Sequence, residues 1–236
     1  MRKYAILFFL FGQLTSCVPV KSIFLGNADS KDLKRFKSHK IEASSNCFEF
    51  ERADLQHFDF SVNDWTRDKP DFLTLDEFVA RHPVRSFLII QNDSIKYEYY
   101  RKDLDTLDLN PSYSMAKSFI SALLGIAIDD GLIQSIDDSV LNYIPEFKDI
   151  ELSDKLKIRH LLNHTSGFKS SVILDINIYY GQDIMKNLKN MEIIKMPGTH
   201  QEYINMNTQI IGIILKRVTG KSVSYTHLTL PTSSQV

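Results

Sequence analysis

The stretch from Met115 to Asp130 restricts the possible fold more than any other part of the chain. Its apolar residues lie almost all round a helical wheel, and Gly131 follows, a residue typical of a helix C-terminus. A helix that is apolar on every side has to be covered on every side. We therefore expect a central, buried helix with other secondary structure packed around it.

The composition is that of an ordinary folded protein. Of 236 residues, 43% are hydrophobic and 24% are charged, which excludes wholesale disorder and predicts one main domain. The net charge is -1, so no overall positive field would hold the chain on nucleic acid. A nucleic-acid partner is not expected.

Strand and helix signals surround the central helix. Ser86–Gln91 and Ile95–Arg101 flank an Asn92-Asp93 turn and predict a β-hairpin, whose first strand reads as buried on both faces. One further helix is expected after Ser153, ending at a Thr165-Ser166-Gly167 turn, and another from about Asn207 to Gly220. A strand pair followed by helices predicts an α/β fold of the mixed, α+β kind.

The N-terminus has the features of a secretion signal. Arg2 and Lys3 precede an apolar run of about 11 residues, shorter than the roughly 20 that a membrane-spanning helix needs. Leu14-Thr15-Ser16-Cys17 resembles the lipobox of bacterial lipoproteins, so Cys17 is predicted to carry lipid. A plain signal peptide with a chance cysteine is the alternative. We assign residues 1–17 to the signal, residues 18–46 to a polar tether, and the protein to the cell envelope.

Ser114 and Lys117 are the leading candidates for catalysis. They are three residues apart at the start of the predicted central helix, so both side chains lie on one face. The alternative is a Ser114 helix cap with Lys117 as a surface residue, but a cation in the first helical turn opposes the helix dipole. Ser166-Gly-Phe-Lys169 repeats the pattern in a turn, and only Ser114 opens a long apolar helix.

Tyr203-Ile-Asn205 is a second candidate element, placed between a Pro197-Gly198 turn and the last predicted helix. A tyrosine can move a proton when nearby cations lower its pKa, and an asparagine amide can bind a substrate amide. A buried tyrosine and a helix cap would also explain the pair. His160 and His164 are four residues apart, but without a third ligand nearby we expect no metal site.

Several motifs together resemble the serine β-lactamase-related family, the group of class C β-lactamases, DD-peptidases and related esterases. The resemblance runs from about Ser86 to Ser222, in order, and is nearest to the branch that contains 6-aminohexanoate-dimer hydrolase-like amidases and esterases. The motifs that carry it are Ser114-Met-Ala-Lys117-Ser-Phe, Gly125-Ile-Ala-Ile-Asp-Asp-Gly131, Tyr143-Ile-Pro145, Ile158-Arg-His-Leu-Leu-Asn-His-Thr-Ser-Gly167, Pro197-Gly198, Tyr203-Ile-Asn205 and Val218-Thr-Gly220.

The resemblance implies an antiparallel sheet flanked by helices plus an all-helical lobe. It implies Ser114 as the acylated nucleophile, Lys117 as the base or the residue that orients it, Tyr203 as a proton shuttle and Asn205 as a substrate contact. No cofactor and no metal are implied. The partner would be a small molecule or peptide with a carbonyl target: a β-lactam, a D-Ala-D-Ala peptide, an ester or a linear amide.

The chain departs from the family pattern in its last part. The family's third motif, Lys-Thr-Gly or His-x-Gly, is absent, and residues 224–236 match no family segment. We therefore expect residues 47–223 to be a partial hydrolase domain with an incomplete sheet, residues 224–236 to be a non-native tail, and the fragment to be inactive. A non-catalytic envelope lipoprotein that binds penicillin or peptidoglycan peptides is the alternative function.

Overall fold

The computed structural model describes residues 18, 23–24, 26, 29, 32–35, 48–52, 58, 60–66, 68–69, 71–104, 108–180 and 184–221. The predicted signal peptide with Cys17, most of the predicted tether and the predicted tail lie outside the described residues. The described residues divide into a helical unit, made of those up to residue 35 and from Pro111 onward, and a sheet unit, made of those between residues 48 and 110.

The elements of the described residues are, in chain order, as follows. The strands are β1 (Glu51–Arg52), β2 (Ser61–Asn63), β3 (Phe72–Thr74), β4 (Ser86–Gln91) and β5 (Ser94–Tyr100). The helices are α1 (Asp32–Arg35), α2 (Leu75–Arg81), α3 (Ala116–Asp129), α4 (Ile158–Leu162), α5 (Val172–Tyr180), α6 (Ile184–Leu188) and α7 (Asn205–Thr219).

The predicted hairpin is confirmed as β4 and β5, which pair antiparallel in the sheet unit. Asn92 and Asp93 both have positive φ angles, 51° and 55°, as a two-residue turn between twisted strands requires. Strand β1 adds to the other side of β5 in parallel, giving the order β1-β5-β4, and β2 pairs with β3 in a separate antiparallel ribbon.

Burial of β4 on both faces was a wrong prediction. Phe87, Leu88 and Ile90 are all partly exposed, because β4 forms an edge of the described sheet. A short apolar run alone does not distinguish a central strand from an edge strand. Strand β5 alternates: Ile95 and Tyr97 are buried, Lys96 and Glu98 are partly exposed, and Tyr97 packs near Leu75 and Val79 of α2.

Helices α3 and α7 pack together in the core of the helical unit. Helix α3 has the expected extent, but its burial on every side was wrong. Only Leu123, Leu124 and Ala127 of α3 are buried, whereas Ser121, Ala122 and Gly125 are exposed. The small residues offer little apolar surface to cover, and the three buried residues lie on one stripe, in the same core as buried residues of α7.

The two later helices follow the prediction with shifted boundaries. The segment after Ser153 is a 3₁₀ turn at Ser153–Lys155, and α4 begins only at Ile158 because Lys157 has extended backbone angles. Helix α7 begins at Asn205, two residues before the expected start, and ends at Gly220 in the left-handed conformation as predicted.

The predicted fold class, helices with an incomplete sheet, is confirmed, although the parallel strand β1 makes this sheet mixed rather than purely antiparallel. The described part of the predicted tether includes α1, where buried Asp32 accepts a 2.6 Å hydrogen bond from the Tyr179 hydroxyl of α5. Within the described ranges, no helix combines the length and apolar character needed to cross a membrane.

Candidate active site around Ser114

Ser114 lies in a tight turn at the entrance to α3. Tyr113, Ser114 and Met115 form a 3₁₀ turn, and Tyr113 has a φ of 46°, a left-handed conformation that is rare for a bulky residue. Such backbone strain costs about 1–3 kcal/mol and is found mainly at functional sites. The N-cap of α3 is Met115, so Ser114 does not serve as the helix cap that was the alternative reading of its position.

Lys117 approaches Ser114 from the first turn of the same helix. Its Nζ donates a 3.0 Å hydrogen bond to Ser114 Oγ, as the spacing of three residues predicts. The first turn of α3 contains no acidic residue, so Lys117 gains no local carboxylate partner there. The cation is therefore placed beside the serine hydroxyl and not in a stabilising ion pair of its own helical turn.

Tyr203 completes the group from a distant part of the chain, just before α7. Its hydroxyl donates a 2.8 Å hydrogen bond to Ser114 Oγ, and Lys117 Nζ lies 5.1 Å from the centre of its ring. Burial acts to raise the pKa of Tyr203, but hydrogen bonding to Lys117 and Ser114 and the positive charge of Lys117 outweigh it and lower that pKa below its usual value. Loss of the phenolic proton is thereby made easier.

Asn205, the predicted substrate contact, lies close to the group but its amide is engaged within the protein. Its Nδ2 donates a 3.0 Å hydrogen bond to Asp175 Oδ1 of α5. The negative charge of Asp175 also acts on Tyr203, where it opposes the effect of Lys117 on the pKa. Asp175 was not singled out from the sequence, since nothing in its local pattern marks it. The role of Asn205 toward a substrate stays a prediction.

His164 is a second residue that the sequence reasoning missed. Its ring stacks on the ring of Tyr203, with the centres 4.6 Å apart and the planes 21° from parallel. Its Nδ1 accepts a 3.2 Å hydrogen bond from the backbone N–H of Ile204, and its carbonyl oxygen accepts a 2.8 Å bond from the N–H of Glu202. The available signal was its place in the Ile158–Gly167 motif, but nothing in that motif predicts a contact with Tyr203.

The turn after His164 ties this motif to the segment that leads to Tyr203. Thr165 O accepts a 2.8 Å bond from Gly198 N, and Gly167 O accepts bonds of 2.9 and 3.3 Å from Ile194 N and Lys195 N. Gly167 has a φ of 75°, and a Cβ atom there would lie 2.0 Å from Lys195 O. Only glycine fits at such a distance, so Gly167 allows this turn to bond closely to the segment that leads to Tyr203.

The other candidate patterns do not form comparable sites. Ser166 of the second Ser-x-x-Lys pattern is fully buried, and Lys169 pairs with Glu192 at 3.0 Å, so the two side chains are engaged separately. His160 and His164 both use Nδ1 to accept backbone N–H groups. Among the described residues, no three His, Cys, Asp or Glu side chains are grouped in a way that could hold a metal ion.

The Ser114–Lys117 pair and Tyr203 were separate candidates in the sequence. In the structure they meet at Ser114 Oγ. Ser114 is exposed, and its Oγ has a cation on one side and a phenol on the other. A hydroxyl with such neighbours can give up its proton and attack an electrophilic carbon. The arrangement is suited to acyl transfer through a covalent intermediate.

Several proteins of known sequence or structure resemble part of this chain. Protein flp of Staphylococcus aureus (strain COL) is 27% identical over 155 residues, covering 59% of this chain and 31% of that protein. Beta-lactamase-like protein 4 of Dictyostelium discoideum is 26% identical over 162 residues, covering 59% of this chain and 28% of that protein. The chain therefore spans about a third of the length of these curated relatives.

A solved structure described as a 6-aminohexanoate-dimer hydrolase of Bacillus anthracis shares the fold. It superposes with a TM-score of 0.65 at 20% sequence identity, covering 76% of this chain and 50% of that one. The family model described as Beta-lactamase matches residues 74–225, a range that contains Ser114, Lys117 and Tyr203. The protein whose site is built around Ser114 is thus a member of the beta-lactamase family.

Proposed function

We propose that this protein is a serine hydrolase in which Ser114 attacks a carbonyl carbon and is transiently acylated. The observation that carries the proposal is the convergence of Lys117 Nζ and Tyr203 Oη on Ser114 Oγ, at 3.0 and 2.8 Å. Membership of the beta-lactamase family supports it. The expected substrates are amides, esters or β-lactams, because each presents a carbonyl carbon to the same hydroxyl.

The first step forms the acyl-enzyme. Tyr203, once it has lost its phenolic proton, accepts the hydroxyl proton of Ser114 while Oγ bonds to the carbonyl carbon. The carbonyl oxygen becomes an oxyanion, to which the Ser114 backbone N–H would supply one hydrogen bond. When the intermediate collapses, the bond to the leaving nitrogen or oxygen breaks, and Tyr203 returns the proton to that atom.

The second step releases the acyl group. A water molecule takes the place of the leaving group, gives a proton to the Tyr203 phenolate and attacks the ester carbon. Collapse of this second tetrahedral intermediate breaks the bond to Ser114 Oγ, which recovers its proton from Tyr203. The products are a carboxylic acid and the free enzyme, so atoms and charges balance over the cycle.

Lys117 supports the proton transfer in this scheme. The family resemblance allows Lys117 to be either the base or the residue that orients it. The lowered pKa of Tyr203 favours the second role, because a Lys117 ammonium beside the phenol stabilises the phenolate. The 3.0 Å bond from Lys117 to Ser114 Oγ also keeps the nucleophile in place while its proton leaves.

Covalent labelling tests the nucleophile. The full-length protein is incubated with a fluorophosphonate ester, and the modified peptide is located by mass spectrometry. We expect one adduct, on Ser114, and none in Ser114→Ala. Ser118→Ala is the matched control, because Ser118 is an exposed serine of the same helix and should not affect labelling. Undiminished labelling of Ser114→Ala would refute the assignment.

The lifetime of a substrate-derived adduct separates hydrolysis from binding. After a pulse of penicillin or a chromogenic ester, intact mass is followed with time. Formation and decay of the acyl-enzyme supports a hydrolase. An adduct on Ser114 that persists would assign the alternative function, covalent binding without turnover, and would contradict the proposed second step.

A location in the cell envelope, through lipid on Cys17, belongs to the same proposal. Its support is the order of the N-terminal residues: a basic pair, a short apolar run, and small residues directly before the cysteine. The substrate would then be a small molecule or peptide encountered outside the cytoplasm.

A further inference from the structure

His164 contacts the residue before Tyr203, the residue after it and the ring of Tyr203 itself. The His164 carbonyl bonds the N–H of Glu202, the residue before Tyr203, and the His164 ring nitrogen bonds the N–H of Ile204, the residue after it. The imidazole also stacks on the phenol ring at 4.6 Å. One residue therefore determines the path of the backbone on both sides of Tyr203 and the plane of its side chain.

The bond to Ile204 requires a particular protonation state of His164. A backbone N–H can only donate, so Nδ1 must offer a lone pair, and the proton of the neutral ring must lie on Nε2. Asn207 Nδ2 lies 3.3 Å from the same Nδ1, which leaves Asn207 Oδ1 buried with no hydrogen-bond partner among the described residues. A proton on Nδ1 would face the Ile204 N–H directly.

The surroundings of the ring also favour the neutral form. Burial lowers the pKa of His164, and the positive charge of Lys117 lowers it further. In the described structure, the titratable groups that face the ring are Lys117 from α3 and Tyr203 from the segment before α7.

We propose that His164 is a positioning residue for the reaction: its neutral Nε2–H form holds the Tyr203 phenol against Ser114, and protonation at Nδ1 releases it. This rests on the proposed function, in which Tyr203 moves the proton of Ser114. The consequence is a loss of acylation at low pH in addition to the loss that follows from protonating the Tyr203 phenolate itself.

The backbone of His164 shows that its position is imposed by the surrounding contacts. Its φ is 54°, in the left-handed region, where Asn, Asp and His are tolerated better than other side chains. Asparagine is thus a conservative replacement: its Oδ1 can accept the Ile204 N–H, it tolerates this φ, and it cannot be protonated. Phenylalanine is the opposite replacement, because it keeps an aromatic ring but offers no acceptor.

The first experiment compares His164→Phe and His164→Asn with the unmodified chain, all made as the full-length protein, using the rate of fluorophosphonate labelling at Ser114. We expect His164→Phe to label about 100-fold more slowly, the cost of displacing a catalytic group by about an ångström. His164→Asn should stay within about tenfold of the unmodified chain near neutral pH. Thermal unfolding measured in parallel identifies any variant that fails to fold.

The pH dependence of the labelling rate distinguishes His164→Asn from the unmodified chain more sharply. Below the pKa of His164 the unmodified chain should lose labelling rate more steeply than His164→Asn, which lacks the titrating ring. His160→Asn is the matched control, since His160 also accepts a backbone N–H, that of Lys157, and has its pKa lowered by burial and by the charges of Lys157 and Arg159. His160→Asn should lose labelling rate at low pH as steeply as the unmodified chain does. Identical profiles for the unmodified chain and His164→Asn would overturn the proposal.

A second measurement does not depend on reactivity. In ¹⁵N NMR spectra, assigned by the absence of the signal in His164→Asn, Nδ1 of His164 should be unprotonated and Nε2 protonated near neutral pH. A proton on Nδ1 would overturn the proposal even if Ser114 is labelled. Absence of any Ser114 adduct would refute the proposed function, and the positioning contact would still be accepted or rejected by the protonated nitrogen.

Discussion

Replacing Gly167 by alanine should disturb the segment that carries Tyr203. A Cβ atom at position 167 would lie 2.0 Å from Lys195 O, whereas ordinary contacts begin near 3.4 Å. The two segments must therefore part by about 1.4 Å. That movement weakens the bonds from Ile194 N and Lys195 N to Gly167 O, which are 2.9 and 3.3 Å long.

The cost can be estimated in two parts. An alanine at a φ of 75° is strained by about 1–2 kcal/mol. Two or three weakened backbone hydrogen bonds, at about 0.5–1.5 kcal/mol each, add about 1–4 kcal/mol. We expect the free energy of unfolding to fall by about 2–6 kcal/mol, a large part of the total stability of a typical domain.

Gly131→Ala is the matched control for this experiment. Gly131 has a φ of 73°, almost equal to that of Gly167, but a Cβ atom there would meet nothing within 4 Å. It should show the backbone strain alone, so its melting temperature should fall by about 2–8 °C. Circular dichroism gives the melting temperatures. If Gly167→Ala melts at the same temperature as Gly131→Ala, the close contact between Gly167 and Lys195 contributes nothing to stability and the reasoning is wrong.

Three further outcomes are expected. Tyr203→Phe should slow acylation of Ser114 by about 10²–10⁴-fold while changing the free energy of unfolding by less than about 1 kcal/mol, because Tyr203 is an exposed residue. An unchanged labelling rate would contradict its role. Hydrogen bonds from the Arg217 guanidinium hold the pKa of Glu146 at about 2. Above pH 4.5, Glu146→Gln should therefore lower the free energy of unfolding, by less than about 1 kcal/mol because the pair is partly exposed. That difference should vanish as the pH falls from 4.5 toward 2, and denaturation midpoints that differ equally at all pH values would exclude the ion pair as its cause. Finally, a fatty-acid analogue fed to bacteria that produce the protein should label it, Cys17→Ser should abolish the label, and an unlabelled wild-type protein would disprove the lipid anchor.

Local sequence was sufficient for the elements whose formation depends on near neighbours. The β4–β5 hairpin was predicted because Asn92-Asp93 favours the positive φ angles of its turn, and the end of α7 because Gly220 tolerates the left-handed conformation. The pairing of Ser114 with Lys117 was also local, because a spacing of three residues places both side chains on one helical face.

Burial and long-range contacts needed the tertiary structure. Apolar content alone predicted β4 and α3 as buried on all sides, whereas β4 is an edge strand and α3 buries one stripe. The sequence pointed to Tyr203 as a candidate, but only folding brings its hydroxyl within 2.8 Å of a serine 89 residues earlier. Asp175 and His164 became visible only in three dimensions, because each acts through a partner far away in the chain. The sequence alone therefore determined which groups could carry the chemistry, and the packing of distant segments decided which of them share a site, since a contact between remote residues leaves no periodic pattern in either segment.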